Sequence, residues 1–131
     1  MTRFLCVLAV MLAALSARAD EGVEAAISGQ IAALRAGDFV TAFEFASPNI
    51  RQIFRTPENF EDMVRQGYAV MLNPVDMQFM TARQEGEALW QRVLYRDLHG
   101  EVQVFDYQMV QAPEGWRINA VVRVKMPAPS A

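Results

Sequence analysis

Three short segments that each end in glycine divide the C-terminal half of the chain and most strongly limit how it can fold. They occupy residues 83–86, 97–100 and 112–115. Glycine at the fourth position suits a type I turn followed by a glycine bulge. The stretches between them are rich in valine and aromatic residues, which favour strands. The pattern predicts an antiparallel meander of four strands at about 75–83, 87–97, 101–111 and 116–125.

The N-terminal half has the spacing of amphipathic helices. The first helix carries an apolar stripe at intervals of four, four and three residues, formed by Val23, Ile27, Ile31 and Leu34. Gly37 is placed to end this helix in the left-handed conformation. These features predict a helix that buries one face.

Three further helices are predicted from cap signals. Asp38, Ser47 and Thr56 are N-cap residue types, and Pro48 and Pro57 stand where a first helical residue would be. The last helix is expected to continue to Asn73-Pro74. The third helix is short, and its expected buried side chains are Ile50, Ile53 and Phe54.

Helices therefore come first and strands second, with no Gly/Ser-rich linker between them. This order predicts one α+β domain over residues 20–126, with N-terminal helices packed on a C-terminal curved antiparallel four-stranded sheet. Residues 127–131 are expected to form a flexible tail.

Residues 1–19 have the pattern of a secretory signal peptide. Arg3 precedes an apolar run from Phe4 to Leu15, and Ala17 and Ala19 are small residues at the positions that a signal peptidase reads. We expect cleavage after Ala19 and a secreted product, in the periplasm of a Gram-negative bacterium.

Composition argues against several function classes. Acidic residues outnumber basic ones by 15 to 12, which does not favour nucleic-acid binding. After Ala19 no apolar run reaches the length of a membrane helix. The chain has one cysteine, Cys6 in the signal segment, and one histidine, His99 in a turn. We therefore expect no metal site, no cofactor and no membrane association after cleavage.

The register of the meander follows if each turn is of the bulged type. Asp97 then pairs with Glu101, and Ala112 pairs with Trp116. Side chains alternate between the two faces of a strand, and this register makes both faces largely apolar, with Trp116 and Ile118 on the face of Arg92. An apolar face without a cover usually marks an interface. We therefore predict a homodimer or a protein partner on the sheet, through Leu89, Val93, Phe105, Tyr107 and Met109. Alternatively, sheet curvature shelters part of that face.

The same register places Arg92 opposite Asp106, with Trp90 opposite Gln108 in the next pair. Trp90, Arg92, Asp106 and Gln108 are therefore candidates for the floor of a pocket that binds a small apolar or amphipathic ligand. The alternative is a structural ion pair, because buried charges persist when they are paired. Asp106 is the candidate general base, although an adjacent arginine would lower its pKa and weaken it.

Several local motifs resemble a known fold, the nuclear-transport-factor-2-like cone that ketosteroid isomerase and polyketide cyclases share. Within that fold the chain resembles a bacterial secreted family, domain of unknown function 4864. The segments that carry the resemblance are 31–34, 37–38, 42–43, 57–60, 107–109 and 116–119. The resemblance implies helices over a strongly bent sheet. Isomerases of this fold use a tyrosine on the first helix, and helix one here has none, so no catalytic role carries over.

These observations favour a secreted, non-catalytic binding or protein-interaction module that acts as a dimer. A small-ligand carrier with a pocket in the cone is the first alternative. The second is an enzyme of the isomerase, dehydratase or cyclase type with Asp106 as its base.

Overall fold

The computed structural model describes residues 21–125, which form helices followed by one antiparallel sheet. The helices are α1 (21–35), α2 (Phe39–Glu44), α3 (Pro48–Phe54) and α4 (Pro57–Gly67), followed by a 3-10 turn over Ala69–Leu72. The strands are β1 (Asp76–Glu85), β2 (Ala88–Arg96), β3 (Val102–Ala112) and β4 (Gly115–Val124), in spatial order β1-β2-β3-β4. The α+β prediction is confirmed. The predicted signal segment and tail lie outside the described residues.

The helix boundaries follow from the cap residues. Asp38 Oδ1 accepts a hydrogen bond from Thr41 N at 3.1 Å, which satisfies one of the free N–H groups of α2. Ser47 and Thr56 cap α3 and α4 in the same way, and a proline follows each. Gly37 has φ +70° and ends α1 as expected. Among the described residues, no helix is both long enough and apolar enough to cross a bilayer.

Two helix predictions were wrong in detail. α4 ends at Gly67 and gives way to the 3-10 turn, where the sequence pattern favoured a continuous helix. Ile53 is 62% exposed, because α3 turns only Ile50 and Phe54 toward the rest of the fold.

The helices cover one face of the sheet. The buried cluster joins Ile27 and Leu34 of α1, Phe43 of α2 and Phe60 of α4 to side chains from β2, β3 and β4. Arg123 closes one end of this layer, since its guanidinium donates to the carbonyl of Gly67 at 2.8 Å. No helix of residues 21–125 packs on the opposite face, which is called the open face below.

α1 lies close to its neighbours because two of its residues are glycines. A Cβ on Gly29 would lie 2.6 Å from the Phe45 ring, and one on Gly22 would lie 2.7 Å from the Trp116 ring. These aromatic rings occupy the space that larger side chains would need. The close approach seals α1 against β4 and against the segment that follows α2.

The predicted turn geometry holds at one hairpin of the three. Between β2 and β3, Asp97 N donates to Glu101 O and Gly100 has φ +79°, as the bulged turn requires. The other two hairpins close with two-residue turns, because Glu85 pairs with Ala88 and Ala112 pairs with Gly115. The predicted pairing of Ala112 with Trp116 was therefore wrong.

A β-bulge in β4 corrects most of that error. Met109 pairs with Ile118 and Gln108 pairs with Ala120, so Asn119 is the extra residue. Beyond the bulge the register equals the predicted one. Before it, the side chains change faces: Ile118 is 4% exposed beneath the helices, and Trp116 meets α1 at Gly22. Both had been predicted on the face of Arg92.

Candidate functional site

Arg92 and Asp106 meet on the open face as the register predicted. Arg92 donates from Nε to Asp106 Oδ1 at 2.9 Å and from Nη2 to Oδ2 at 3.0 Å. Arg83 of β1 lies 3.6 Å from the same carboxylate and 5.4 Å above the centre of the Trp90 ring. The structure thus adds Arg83 to the predicted group and forms a cluster of two guanidinium groups, a carboxylate and an indole.

The electrostatics of this cluster favour a charged, inactive carboxylate. The hydrogen bonds from Arg92 hold the pKa of Asp106 below its ordinary value, and the charge of Arg83 adds to the effect. The Asp106 hydrogen bonds in turn raise the pKa of Arg92. A base with a lowered pKa accepts a proton less readily, so this geometry suits a structural ion pair better than general-base catalysis.

Gln108 belongs to a different set of contacts. Its Oε1 accepts from Asn119 Nδ2 at 2.8 Å, and Asn119 Oδ1 accepts from Ser47 Oγ at 2.7 Å. These bonds tie the bulge in β4 to the N-cap of α3. Trp90 and Gln108 are paired in the backbone register as predicted. The Gln108 side chain, however, is hydrogen-bonded to Asn119 in the bulge.

The five residues predicted as an interface lie on the covered face, which corrects that prediction. Each is at most 7% exposed within the single chain, because the helices pack directly on them. They form part of the core, and no partner can reach them in this fold. The residues concerned are Leu89, Val93, Phe105, Tyr107 and Met109.

A cavity of about 290 Å³ lies between the helices and β4. α1, α3 and α4 supply half of its described lining residues, and the bulged part of β4 closes the remaining side together with the segment around the 3-10 turn. None of the four predicted ligand-binding residues lines it. Its described lining residues are Gln30, Leu34, Ala46, Ile50, Phe54, Phe60, Met63, Val64, Tyr68, Met71, Ile118, Asn119, Ala120 and Val121.

The lining divides into a floor and a mouth. Gln30, Leu34, Val64 and Met71 are at most 5% exposed and form the floor. Half-buried residues of α3, α4 and β4 form the mouth. The wall is mostly aliphatic and aromatic, and such pockets bind small apolar molecules.

Three polar side chains are found among the described residues that line the cavity. Tyr68 Oη donates to the carbonyl of Val121 at 3.2 Å, and both ends of the Asn119 amide are bonded to protein groups. Gln30 Nε2 donates to the carbonyl of Ala42 at 3.2 Å. These contacts fix the orientation of each polar group in the wall.

The sequence pattern did not single out this cavity. Gln30 stands three residues after Ile27 and four before Leu34, so a polar amide sits on the apolar stripe of α1. A polar residue at this position of the apolar stripe is the sequence feature that could have indicated a cavity beside α1. The cavity itself depends on the distance between the helices and β4, and no local sequence pattern predicts that distance.

Within residues 21–125, no three His, Cys, Asp or Glu side chains converge in a group that could hold a metal ion.

Outside the cavity, the buried hydroxyl groups of Tyr95 and Tyr107 lie 2.6 Å apart, and Tyr107 Oη donates to Met71 Sδ at 3.5 Å. Burial raises the pKa of both tyrosines, so both hydroxyl groups stay protonated at neutral pH.

Helices over a curved four-stranded antiparallel sheet are the arrangement that the resemblance to the cone fold implied, and the comparison with known families agrees with it. The family described as "Domain of unknown function (DUF4864)" matches residues 16–131. The chain belongs to this family. No curated protein matches the sequence.

Proposed function

We propose that this chain is a non-catalytic binding protein that holds a small, neutral, largely apolar molecule in the cavity between its helices and β4. The observation that carries the proposal is the cavity itself, with its apolar floor and half-buried mouth. At the packing density of proteins, about 290 Å³ accommodates roughly ten to fifteen non-hydrogen atoms. A ligand of that size is a single small molecule or one short acyl chain.

The chemistry of the wall supports binding over catalysis. General acid–base catalysis needs a titratable side chain within hydrogen-bond reach of the substrate. Of the described residues that line the cavity, Tyr68 alone has an acidic or basic side chain, and its hydroxyl donates to the Val121 carbonyl. A charged ligand would also lose its hydration against a wall that supplies no opposite charge.

The test is titration with 1-naphthylamine, a neutral dye small enough for this cavity, whose fluorescence shifts to the blue when it leaves water. We expect a dissociation constant of roughly 1–100 µM for a ligand of this size. Ile50→Trp fills the mouth and should weaken binding at least tenfold. Ile53→Trp is the matched control, because Ile53 lies on the same helix but is exposed and does not line the cavity. Absence of dye binding to the wild type, or equal binding by both variants, would overturn the proposal.

We further propose that the protein acts outside the cytoplasm. Support comes from residues 1–19, with their charged start, apolar run and small residues at the end. Expression of the full chain in a Gram-negative host should yield a periplasmic product whose first residue is Asp20. A cytoplasmic product that retains Met1 would contradict this assignment.

A second candidate function, self-association, rests on the open face. Val122 and Met80 are about half exposed there, at 50% and 47%. Arg83 pairs with Glu85 and Arg92 pairs with Asp106, each at 2.9 Å, so a second copy could cover these groups without leaving an unpaired buried charge. Four strands of about ten residues present roughly 600 Å² per copy, which is near the lower limit for a specific interface. We propose that a second copy of the chain packs on this face.

Light scattering tests this second proposal. We expect a dimer at about 50 µM for the wild type and a monomer for Val122→Lys. Val40→Lys is the control, since Val40 is 60% exposed on α2, away from the sheet. A monomeric wild type at that concentration would remove the open face as a self-association surface.

A further inference from the structure

The floor of the cavity contains a polar atom for which the described residues supply no hydrogen-bond donor. Gln30 is 5% exposed and its Nε2 donates to the Ala42 carbonyl. That carbonyl can only accept, so the amide must point its nitrogen at Ala42 and its oxygen elsewhere. Among the described residues no hydrogen bond reaches Gln30 Oε1, and Oε1 is not one of the fully enclosed atoms that lack a partner. An acceptor that lines a cavity bonds to water or to a ligand that supplies a donor.

The other polar groups of the wall do not compete for this role. Asn119 is bonded at both ends of its amide, and the Tyr68 hydroxyl proton is committed to Val121. Tyr68 and Asn119 are also half buried, so they belong to the mouth. Gln30 is therefore the polar side chain of the floor, and its free atom is an acceptor.

We infer that Gln30 is a specificity-determining residue, and that the ligand is a neutral, mostly apolar molecule with one hydroxyl or N–H group that donates to Gln30 Oε1. This inference rests on the proposed binding function and adds the polarity and direction of the ligand. The donor group enters first and lies on the floor beside α1. The apolar remainder lies against Phe60 and extends past Met63 and Phe54 toward the mouth.

The charge of the site supports a neutral donor over a charged one. The described cavity lining contains no acid, so an ammonium group would be buried without an anion. An amide oxygen accepts from a neutral hydroxyl without that cost. An ether, an ester or a ketone of the same size would set its own oxygen against Gln30 Oε1 and would bind more weakly.

Two isomeric probes test this inference. 1-Octanol and 1-methoxyheptane have the same composition and nearly the same volume, but only the alcohol can donate a hydrogen bond. We expect calorimetry to show that the wild type binds the alcohol roughly five- to tenfold more tightly, the difference that one neutral hydrogen bond makes. Gln30→Met keeps the length of the side chain and removes the acceptor, so the preference should fall below twofold while the ether binds at least as well as before.

The possible outcomes separate this inference from the proposed function. Equal binding of the two isomers by the wild type would overturn the role of Gln30 and leave the binding function in place. An unchanged preference in Gln30→Met would do the same. If neither isomer binds while 1-naphthylamine does, the role of Gln30 fails and the binding function stands. If 1-naphthylamine does not bind either, both proposals fail. The wild-type ratio needs no variant, so the inference stays falsifiable even if Gln30→Met does not fold, which thermal unfolding would show.

Discussion

The two faces of the sheet are made from the same strands but differ in what surrounds them. The covered face carries Phe105, Tyr107 and Met109, each with no exposed area, beneath a layer of helices. The open face carries an arginine–aspartate pair, an indole and Val122, which is 50% exposed, although Val104 on the same face is 3% exposed. In β3 these two sets alternate residue by residue. The comparison shows that side chains that alternate along one strand can form both a core and a surface of different chemistry, because the helices pack on one face of the sheet.

The largest expected difference between the faces is in stability. Phe105→Ala on the covered face removes a fully buried ring from a packed core and should lower the free energy of unfolding by about 3–5 kcal/mol. Val122→Ala on the open face removes half-exposed atoms and should change it by less than about 0.5 kcal/mol. Urea denaturation measures both. Equal losses would mean that the open face is as deeply packed as the covered one.

A smaller effect is expected where α1 closes over the covered face. Gly29→Ala should stabilise the helix by about 1 kcal/mol, because alanine has the higher helix propensity. The added methyl group would overlap the Phe45 ring, and overpacking of this kind costs about 1–3 kcal/mol. We expect a net loss of about 1 kcal/mol in thermal or urea unfolding. Ser28→Ala, at the exposed neighbouring position on the same helix, is the control and should not destabilise. A stabilised Gly29→Ala would show that Phe45 moves aside freely.

The smallest effect is the pH response of the open face. The folded-state pKa of Asp106 is lowered by Arg92, whereas an unfolded aspartate titrates near 3.9. Between those two values the unfolded state binds more protons, so stability rises with pH in that window. The stabilising contribution of Asp106 is therefore present above about pH 4 and is lost as the pH falls through the folded-state pKa.

Acid unfolding of Asp106→Asn tests this sign. The variant should lose less stability than the wild type between about pH 4 and pH 2, because it has no carboxylate to protonate at this position. Asp76→Asn, on β1 and outside the cluster, serves as the comparison. If wild type and Asp106→Asn have parallel pH profiles, the ion pair on the open face does not contribute to folding.

The order of elements and the principal pairing were predictable because they depend on local chemistry. Caps at Asp38, Ser47 and Thr56 act on N–H groups within three residues, so the sequence states them directly. The pairing of Arg92 with Asp106 followed from one turn, 97–100, whose bulged form was read correctly. The register at β4 was wrong near its turn, since a two-residue turn and a bulge at Asn119 compensate for one another.

The sequence by itself determined the helical and strand segments, their caps, and which residues share a face of β2 and β3, because those properties arise from interactions between near neighbours. Tertiary structure alone decided which face the helices cover, and so made Leu89 and Phe105 core residues where an interface had been predicted. It also decided the distance between α1 and β4, which leaves a cavity beside Gln30. Both outcomes depend on how whole layers pack, and the packing of layers is a sum over many distant contacts that no single local pattern contains.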